Sequence, residues 1–226
     1  MADLSTRATR IGSLAEPARR ALYEYVVTQP EPVGREQAAT ALGLPPHTAK
    51  FHLDRLVESG LLDVEFRRLT GRSGPGAGRP AKLYRRAAGE VAVSLPERHY
   101  ELAGSILASA VERAGDSEES LSTAVDIAAG EAGRSACGAM DPGMEPVERL
   151  TAVLAEHGFE PRRDADTVVL ANCPFHALAR EHTELVCGLN RSFVAGVLAG
   201  TGCDGLEARL DPEPGLCCVK ACRSGG

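Results

Sequence analysis

At 226 residues and 43% hydrophobic content, the chain carries enough apolar material for one large or two small cores, which excludes a disordered polymer. With 4% aromatic residues and no Trp it is poorly equipped to stack flat ligands or single-stranded bases. The net charge of −6 hides a division: residues 1–90 hold 14 Lys/Arg against 10 Asp/Glu, a net of +4, and the rest hold 11 against 21, a net of −10.

Cysteine divides the chain in the same way, since all seven lie between Cys137 and Cys222. An odd count without an export signal favours metal or redox chemistry over a disulfide framework. The longest apolar or glycine stretch, Phe193 to Gly200, is far below the roughly 20 residues of a membrane span, and Met1 to Gly12 has no apolar export core. A cytoplasmic location with no membrane association is therefore expected.

From Ser13 to Gln29 apolar residues recur at three- and four-residue intervals, which predicts an amphipathic helix stopped by Pro30 and Pro32. Arg35 to Leu42 reads as a second helix, and Gly43-Leu44-Pro45-Pro46 as a tight turn in which glycine ends one helix and proline opens the next. The third helix, His47 to Glu58, gathers Ala49, Leu53, Leu56 and Val57 on one face and leaves His47, Thr48, Lys50, Phe51, Asp54 and Arg55 on the other. Two helices about a glycine turn form a helix-turn-helix, whose second helix enters the DNA major groove. His52, next to the core residue Leu53, reads as a packing or phosphate-facing side chain.

Leu61 to Leu69 and Ala81 to Arg86 read as the strands of a hairpin around a glycine-rich turn. Arg67, Arg68, Arg72, Arg79, Lys82, Arg85 and Arg86 face a single acid, Glu65, and make the hairpin a cationic wing suited to phosphate. Gly74 to Gly78 is not a nucleotide loop, because Pro80 and a strand follow where a phosphate-binding helix would begin. The expected base contacts are His47, Thr48, Lys50 and Arg55; Arg67, Arg68, Arg72, Arg79 and Lys82 are assigned to phosphate.

The stretch His47 to Leu62, followed by Gly78-Arg-Pro-Ala-Lys-Leu-Tyr84, resembles the winged helix-turn-helix of ArsR-like bacterial regulators over about 75 residues. That resemblance implies double-stranded operator DNA as partner and leaves the sensed signal open.

Residues 91–135 are expected to be a helical linker and dimerisation region. Leu102, Ile106, Leu107, Ala110 and Val111 mark one helix, and Leu121, Val125, Ala128, Ala129 and Ala132 another. Their apolar stripes pack either on their own domain or on a second copy, and a homodimer is preferred.

Beyond residue 136, Glu145 to His157 reads as a helix, Asp166 to Asn172 as a strand delivering Cys173, Ala177 to Gly200 as a helix carrying Cys187, and Leu206 to Ala221 as a last strand holding Cys217 and Cys218. Thiolates select zinc, copper or iron–sulfur centres. Thirteen residues separate Cys173 from Cys187, and thirty separate Cys187 from Cys218, unlike the tight pairs of structural zinc sites. An iron–sulfur cluster with an incomplete thiolate set fits better, with zinc as the alternative.

Asn172-Cys-Pro-Phe-His-Ala-Leu-Ala179, Glu184-Leu-Val-Cys-Gly-Leu189 and Pro214-Gly-Leu-Cys-Cys-Val219 resemble the carboxy-terminal motif of the iron–sulfur regulators of the Suf-operon repressor family. The resemblance implies a [4Fe-4S] or [2Fe-2S] cluster on Cys173, Cys187 and one of Cys217 or Cys218. Cys218 is preferred as the third residue after Gly215, and His176 or an exogenous small molecule is the candidate fourth ligand. Having Cys217 beside Cys218 departs from the family pattern. Cys137, Cys203 and Cys222 read as ordinary thiols.

Hydrolase, metalloprotease and phosphate-loop motifs are absent, and a Cys187 nucleophile with His176 as base would lack an orienting group, so no enzyme is expected. The fold class that follows is α+β: a winged helix-turn-helix (1–90), a helical connector (91–135) and an α/β cysteine-rich sensor module (136–226). The function expected is a DNA-binding regulator, a repressor, controlled by a redox-sensitive cluster. The alternatives are a zinc- or thiol-redox-sensing regulator and a cysteine-dependent enzyme or adaptor.

Overall fold

The computed structural model describes residues 4–68, 80–139, 141 and 143–225. The chain divides into two compact units, Met1–Val93 and Ser94–Gly226.

The first unit runs α1 (Leu4–Gly12), a 3-10 turn (Ser13–Ala15), α2 (Pro17–Thr28), β1 (Val33–Gly34), α3 (Arg35–Leu42), α4 (Pro46–Glu58), β2 (Leu62–Arg67) and β3 (Ala81–Arg86). The helix expected from Ser13 begins only at Pro17, because Glu16 caps it there, accepting from the backbone of Ala18 (3.1 Å) and Arg19 (2.6 Å). Gly43 takes the left-handed conformation (φ 63°) that turns the chain between α3 and α4, and Leu44 N–H closes the turn on the Ala39 carbonyl at 2.9 Å. Pro46 then opens α4, where the missing N–H costs nothing. Leu22, Val26, Ala38, Ala49, Leu53, Leu56 and Tyr84 form the core. The sheet order is β1-β3-β2, antiparallel, with Val64 opposite Tyr84 and Phe66 opposite Lys82. The hairpin turn, with Arg72 and Arg79, lies outside the described residues.

Helix α1 buries no side chain. Its anchor is Arg10, whose guanidinium donates to the Ser59 (2.8 Å) and Gly60 (2.6 Å) carbonyls at the end of α4, where a cation also suits the helix dipole.

The second unit contains α5 (Tyr100–Asp116), α6 (Leu121–Ala136), α7 (Pro146–Glu156), β4 (Pro161–Asp164), β5 (Thr167–Leu170), α8 (His176–Glu181), α9 (Thr183–Thr201), β6 (Leu206–Leu210) and β7 (Val219–Arg223). The stretch expected as a connector supplies much of its core. Ala103, Ile106 and Ala110 of α5 and Ala124, Val125, Ala128 and Ala129 of α6 are buried with Val186, Leu189, Phe193, Val194 and Val197 of α9. Helices α6 and α9 approach to backbone contact because glycines meet there: a Cβ on Gly133 would collide with the Phe193 carbonyl oxygen, and one on Gly196 with that of Gly130.

Two sequence expectations change. The helix expected over residues 177–200 is two helices that meet at His182, whose φ and ψ (−129°, 56°) leave the helical region. The strand expected from Leu206 to Ala221 is a hairpin, β6 and β7, because Pro212, Pro214 and the left-handed Gly215 (φ 81°) interrupt it. The sheet order is β4-β5-β7-β6, antiparallel throughout. Among the described residues no helix is long and apolar enough to cross a membrane.

Candidate functional site

On α4 the packing face is Ala49, Leu53 and Leu56; His47, Lys50, Phe51 and Arg55 are exposed and Thr48 is half-buried. Between α3, α4 and the strand pair runs a groove of about 920 Å³ bordered by Arg35, Lys50, Phe66, Arg67 and Lys82.

The cations at this groove are pinned by acids. Asp54 receives Lys50 at 3.1 Å, Lys82 at 2.5 Å and the Tyr84 hydroxyl at 2.8 Å. Partial burial raises its carboxyl pKa, but hydrogen bonds from Lys82, Tyr84 and Lys50 outweigh that and hold it below the usual range. Burial, then the Asp54 contact, pushes the Tyr84 phenol up. Arg55 pairs with Glu58 at 2.9 Å and lies over the Phe51 ring, 5.7 Å from its centroid. Arg67 meets Glu31 at 3.3 Å and Glu65 at 3.5 Å, and Arg68 is exposed. His52 is mostly buried, with Nδ1 3.5 Å from the Glu16 carboxylate.

In the second unit three distant segments bring four thiols together. Cys173 follows β5, Cys187 lies in the first half of α9, and Cys217 and Cys218 sit in the connection before β7 rather than on a strand. The Cys217 sulfur adjoins those of Cys173 and Cys218, and the Cys218 sulfur adjoins that of Cys187. Cys187 and Cys217 are buried, while Cys173 and Cys218 are half-buried and open the row to the surface.

The backbone and neighbouring polar groups hold this row in register. Cys217 N–H donates to the Leu170 carbonyl at 2.8 Å, continuing the β5–β7 pairing, and Asp211 N–H donates to the Cys218 carbonyl at 2.8 Å. Lys220 Nζ bridges Asp211 (2.7 Å) and Glu213 (2.9 Å), bracing the connection, and these carboxylates push its pKa up to about 12. On the Cys173 side, Asn172 Nδ2 donates to the Glu97 (2.9 Å) and Gly158 (2.5 Å) carbonyls. Arg98 Nη1 donates to Asn172 Oδ1 (2.5 Å) and the Cys173 carbonyl (3.3 Å), and His99 N–H to the Pro174 carbonyl (3.2 Å). Residues 97–99 thus grip the Cys173 loop.

Asn190, one turn beyond Cys187, is 0% exposed; its Nδ2 donates to the Cys217 sulfur at 3.1 Å and its Oδ1 has no partner. The thiols of Cys173 and Cys218, then the Val219 N–H and Asn190 amide, pull Cys217 down to about 3 against its burial. Contact with Cys217, then burial, pushes Cys173 and Cys218 up. Cys173, Cys217 and Cys218 are therefore coupled, and the contacts favour the thiolate at Cys217 over its two neighbours.

Four neighbouring thiols are the donor type that suits a soft metal or a cluster. Among the described residues no group of three or more His, Cys, Asp or Glu side chains is set to hold a metal ion. His176 is exposed at the first position of α8 and takes no part in the sulfur contacts. Cys137 and Cys203 are buried, and burial first raises both thiols. Asn190 and Arg98 lie outside every sequence motif, whereas Asn172 and Asp54 fall within the stretches read from sequence without a role being assigned to them. Asn190 leaves one trace, a polar residue on the apolar stripe of α9.

Residues 14–65 match a family described as a helix-turn-helix domain. The match spans α2, α3, α4 and most of β2, so the first unit is a helix-turn-helix domain of the kind that binds DNA in transcription regulators. No curated protein matches the chain.

Proposed function

We propose that the protein is a homodimeric, DNA-binding transcription regulator, a repressor of the Suf-operon type, whose operator affinity follows the state of an iron–sulfur cluster held by Cys173, Cys187 and Cys217 or Cys218. The observation that carries the sensor half is the row of four adjoining thiols drawn from the β5–α8 loop, α9 and the β6–β7 connection. When bound, the cluster would supply bonds that tie these segments together and a charge that responds to oxidant. The chain's own part is to present the sulfurs, to steady Cys217 through Asn190 and Val219, and to connect the Cys173 loop to residues 97–99. Those residues follow closely on Val93, the last of the DNA-binding unit, so a change in the loop reaches that unit along the chain. A hundredfold change in affinity requires only about 2.7 kcal/mol of coupling.

Contact between the Cys173 and Cys217 sulfurs favours a second reading, a thiol switch. There the two thiols lose two protons and two electrons to a peroxide-class oxidant and form a disulfide. Oxygen-free purification followed by iron, sulfide and zinc analysis separates the two. Iron and acid-labile sulfide that vanish in Cys187→Ser support the cluster. Colourless, metal-free protein that oxidises to one Cys173–Cys217 disulfide refutes it in favour of the switch.

A further inference from the structure

The exposed face of α4 carries one large apolar side chain. Phe51 is 54% exposed, on the opposite side of the helix from Ala49, Leu53 and Leu56. Both neighbouring cations are drawn along the helix by its own acids, Lys50 to Asp54 and Arg55 to Glu58. The ring keeps one guanidinium over it, at 5.7 Å from Arg55, and one edge against His52, at 5.3 Å between centroids. More than half of it is exposed among the described residues, although it sits in the second turn of the helix that a helix-turn-helix presents to base edges.

The major-groove edges of base pairs are donors and acceptors with one apolar exception, the 5-methyl group of a pyrimidine. A phenyl ring offers no hydrogen bond, so the polar edges give it nothing. We propose that Phe51 is a base-reading side chain whose partner is the 5-methyl group of thymine in the operator half-site. The Arg55 guanidinium over the ring limits its rotation and presents it as a fixed apolar surface. This rests on the reading of α4 as the DNA-reading helix. It adds to His47, Thr48, Lys50 and Arg55 a contact of different chemistry, one that reads a methyl group instead of a hydrogen-bond pattern.

The test selects a duplex from a random-sequence pool with the full-length chain, then replaces each thymine of the selected site in turn by uracil, which lacks only the methyl. At one position per half-site the wild-type chain is expected to lose about four-fold in affinity, the worth of one methyl-sized group removed from an apolar contact. Phe51→Ala should still retard the duplex but bind the thymine and uracil forms equally. Phe66→Ala, altering the other exposed phenyl ring (65% exposed, on β2), should keep the wild-type preference. Indifference of the wild type to uracil at every position, or an unchanged thymine preference in Phe51→Ala, overturns the proposal. A gain in affinity only where 5-methylcytosine replaces cytosine also overturns it, by moving the partner to the methylated base. Failure to enrich any duplex is a distinct result that refutes DNA reading by α4 altogether.

Discussion

Replacing Asn190 by Leu should make the metal-free protein more stable while weakening the proposed cluster beside it. Asn190 is fully buried, makes one side-chain hydrogen bond, from Nδ2 to the Cys217 sulfur, and leaves Oδ1 without a partner. A buried acceptor with no donor costs about 1–3 kcal/mol, and the lost N–H···S bond is worth about 0.5–1.5 kcal/mol. Leu keeps the branching, and its methyls bring a small packing cost, which leaves a net gain of about 1 kcal/mol. For the Ser94–Gly226 unit the unfolding entropy is about 0.3 kcal/mol/K, so Tm should rise by about 3 °C. Calorimetry in chelator and reductant reads that rise. The anaerobically loaded variant should meanwhile lose its iron faster, because Cys217 has lost a donor that favours its thiolate. A metal-free variant that melts several degrees lower would refute the reasoning, since it would mean that the carboxamide serves the core and not the sulfurs.

Gly196→Ala, which drives a methyl into the Gly130 carbonyl, should destabilise the second unit by about 3 kcal/mol, whereas Gly188→Ala on the same helix, with open space, should be neutral or slightly stabilising in thermal unfolding. Asp54→Asn should cost about 1–2 kcal/mol at neutral pH. Because the folded Asp54 carboxyl is depressed, its contribution is present above the unfolded pKa of about 3.9 and lost as pH falls through the folded value, so the gap in chemical denaturation between wild type and variant should close in acid. Releasing Lys50 and Lys82 should also steepen the salt dependence of non-specific DNA binding, by up to about one unit per lysine that reaches a phosphate. Arg98→Ala should leave iron content unchanged but reduce the difference in DNA affinity between loaded and metal-free protein, measured by band shift; an unchanged difference would refute the link from the Cys173 loop to residues 97–99.

What the sequence made legible was local chemistry. Gly43 and Pro46 mark a helix end and a helix start through their own backbone preferences, and the spacing of Ala49, Leu53 and Leu56 defines a buried face without reference to a partner. The strand Ala81–Arg86 is also readable from its own residues. Elements settled by distant contacts were not legible. Helix α1 has no buried side chain and depends on Arg10 reaching carbonyls some fifty residues away. The stripes of α5 and α6 were visible, but their partner was not, because the glycine pairing of α6 with α9 brings together positions sixty or more residues apart. At the thiol row the cysteines stood out by residue type, whereas their contact order, with Cys217 between Cys173 and Cys218, depends on how the β6–β7 connection turns.

Rigidity and freedom are unevenly shared around that row. Helix α9 holds Cys187, and its far half is locked to α6 by backbone contact at Gly133 and Gly196 and by Gly200 against the Cys137 side chain, so moving it would break close packing. The other sulfurs ride on connections fixed by a few polar contacts, Lys220 with Asp211 and Glu213 on one side, and Arg98 with Asn172 and the Cys173 carbonyl on the other. If bonds at the row are made or lost, these connections move before α9 does. The Cys173 side leads back to residues 97–99, close to the start of the unit, so in the proposed sensor a signal for the DNA-binding half should pass through Arg98, with Lys220 setting how readily the Cys217–Cys218 side yields.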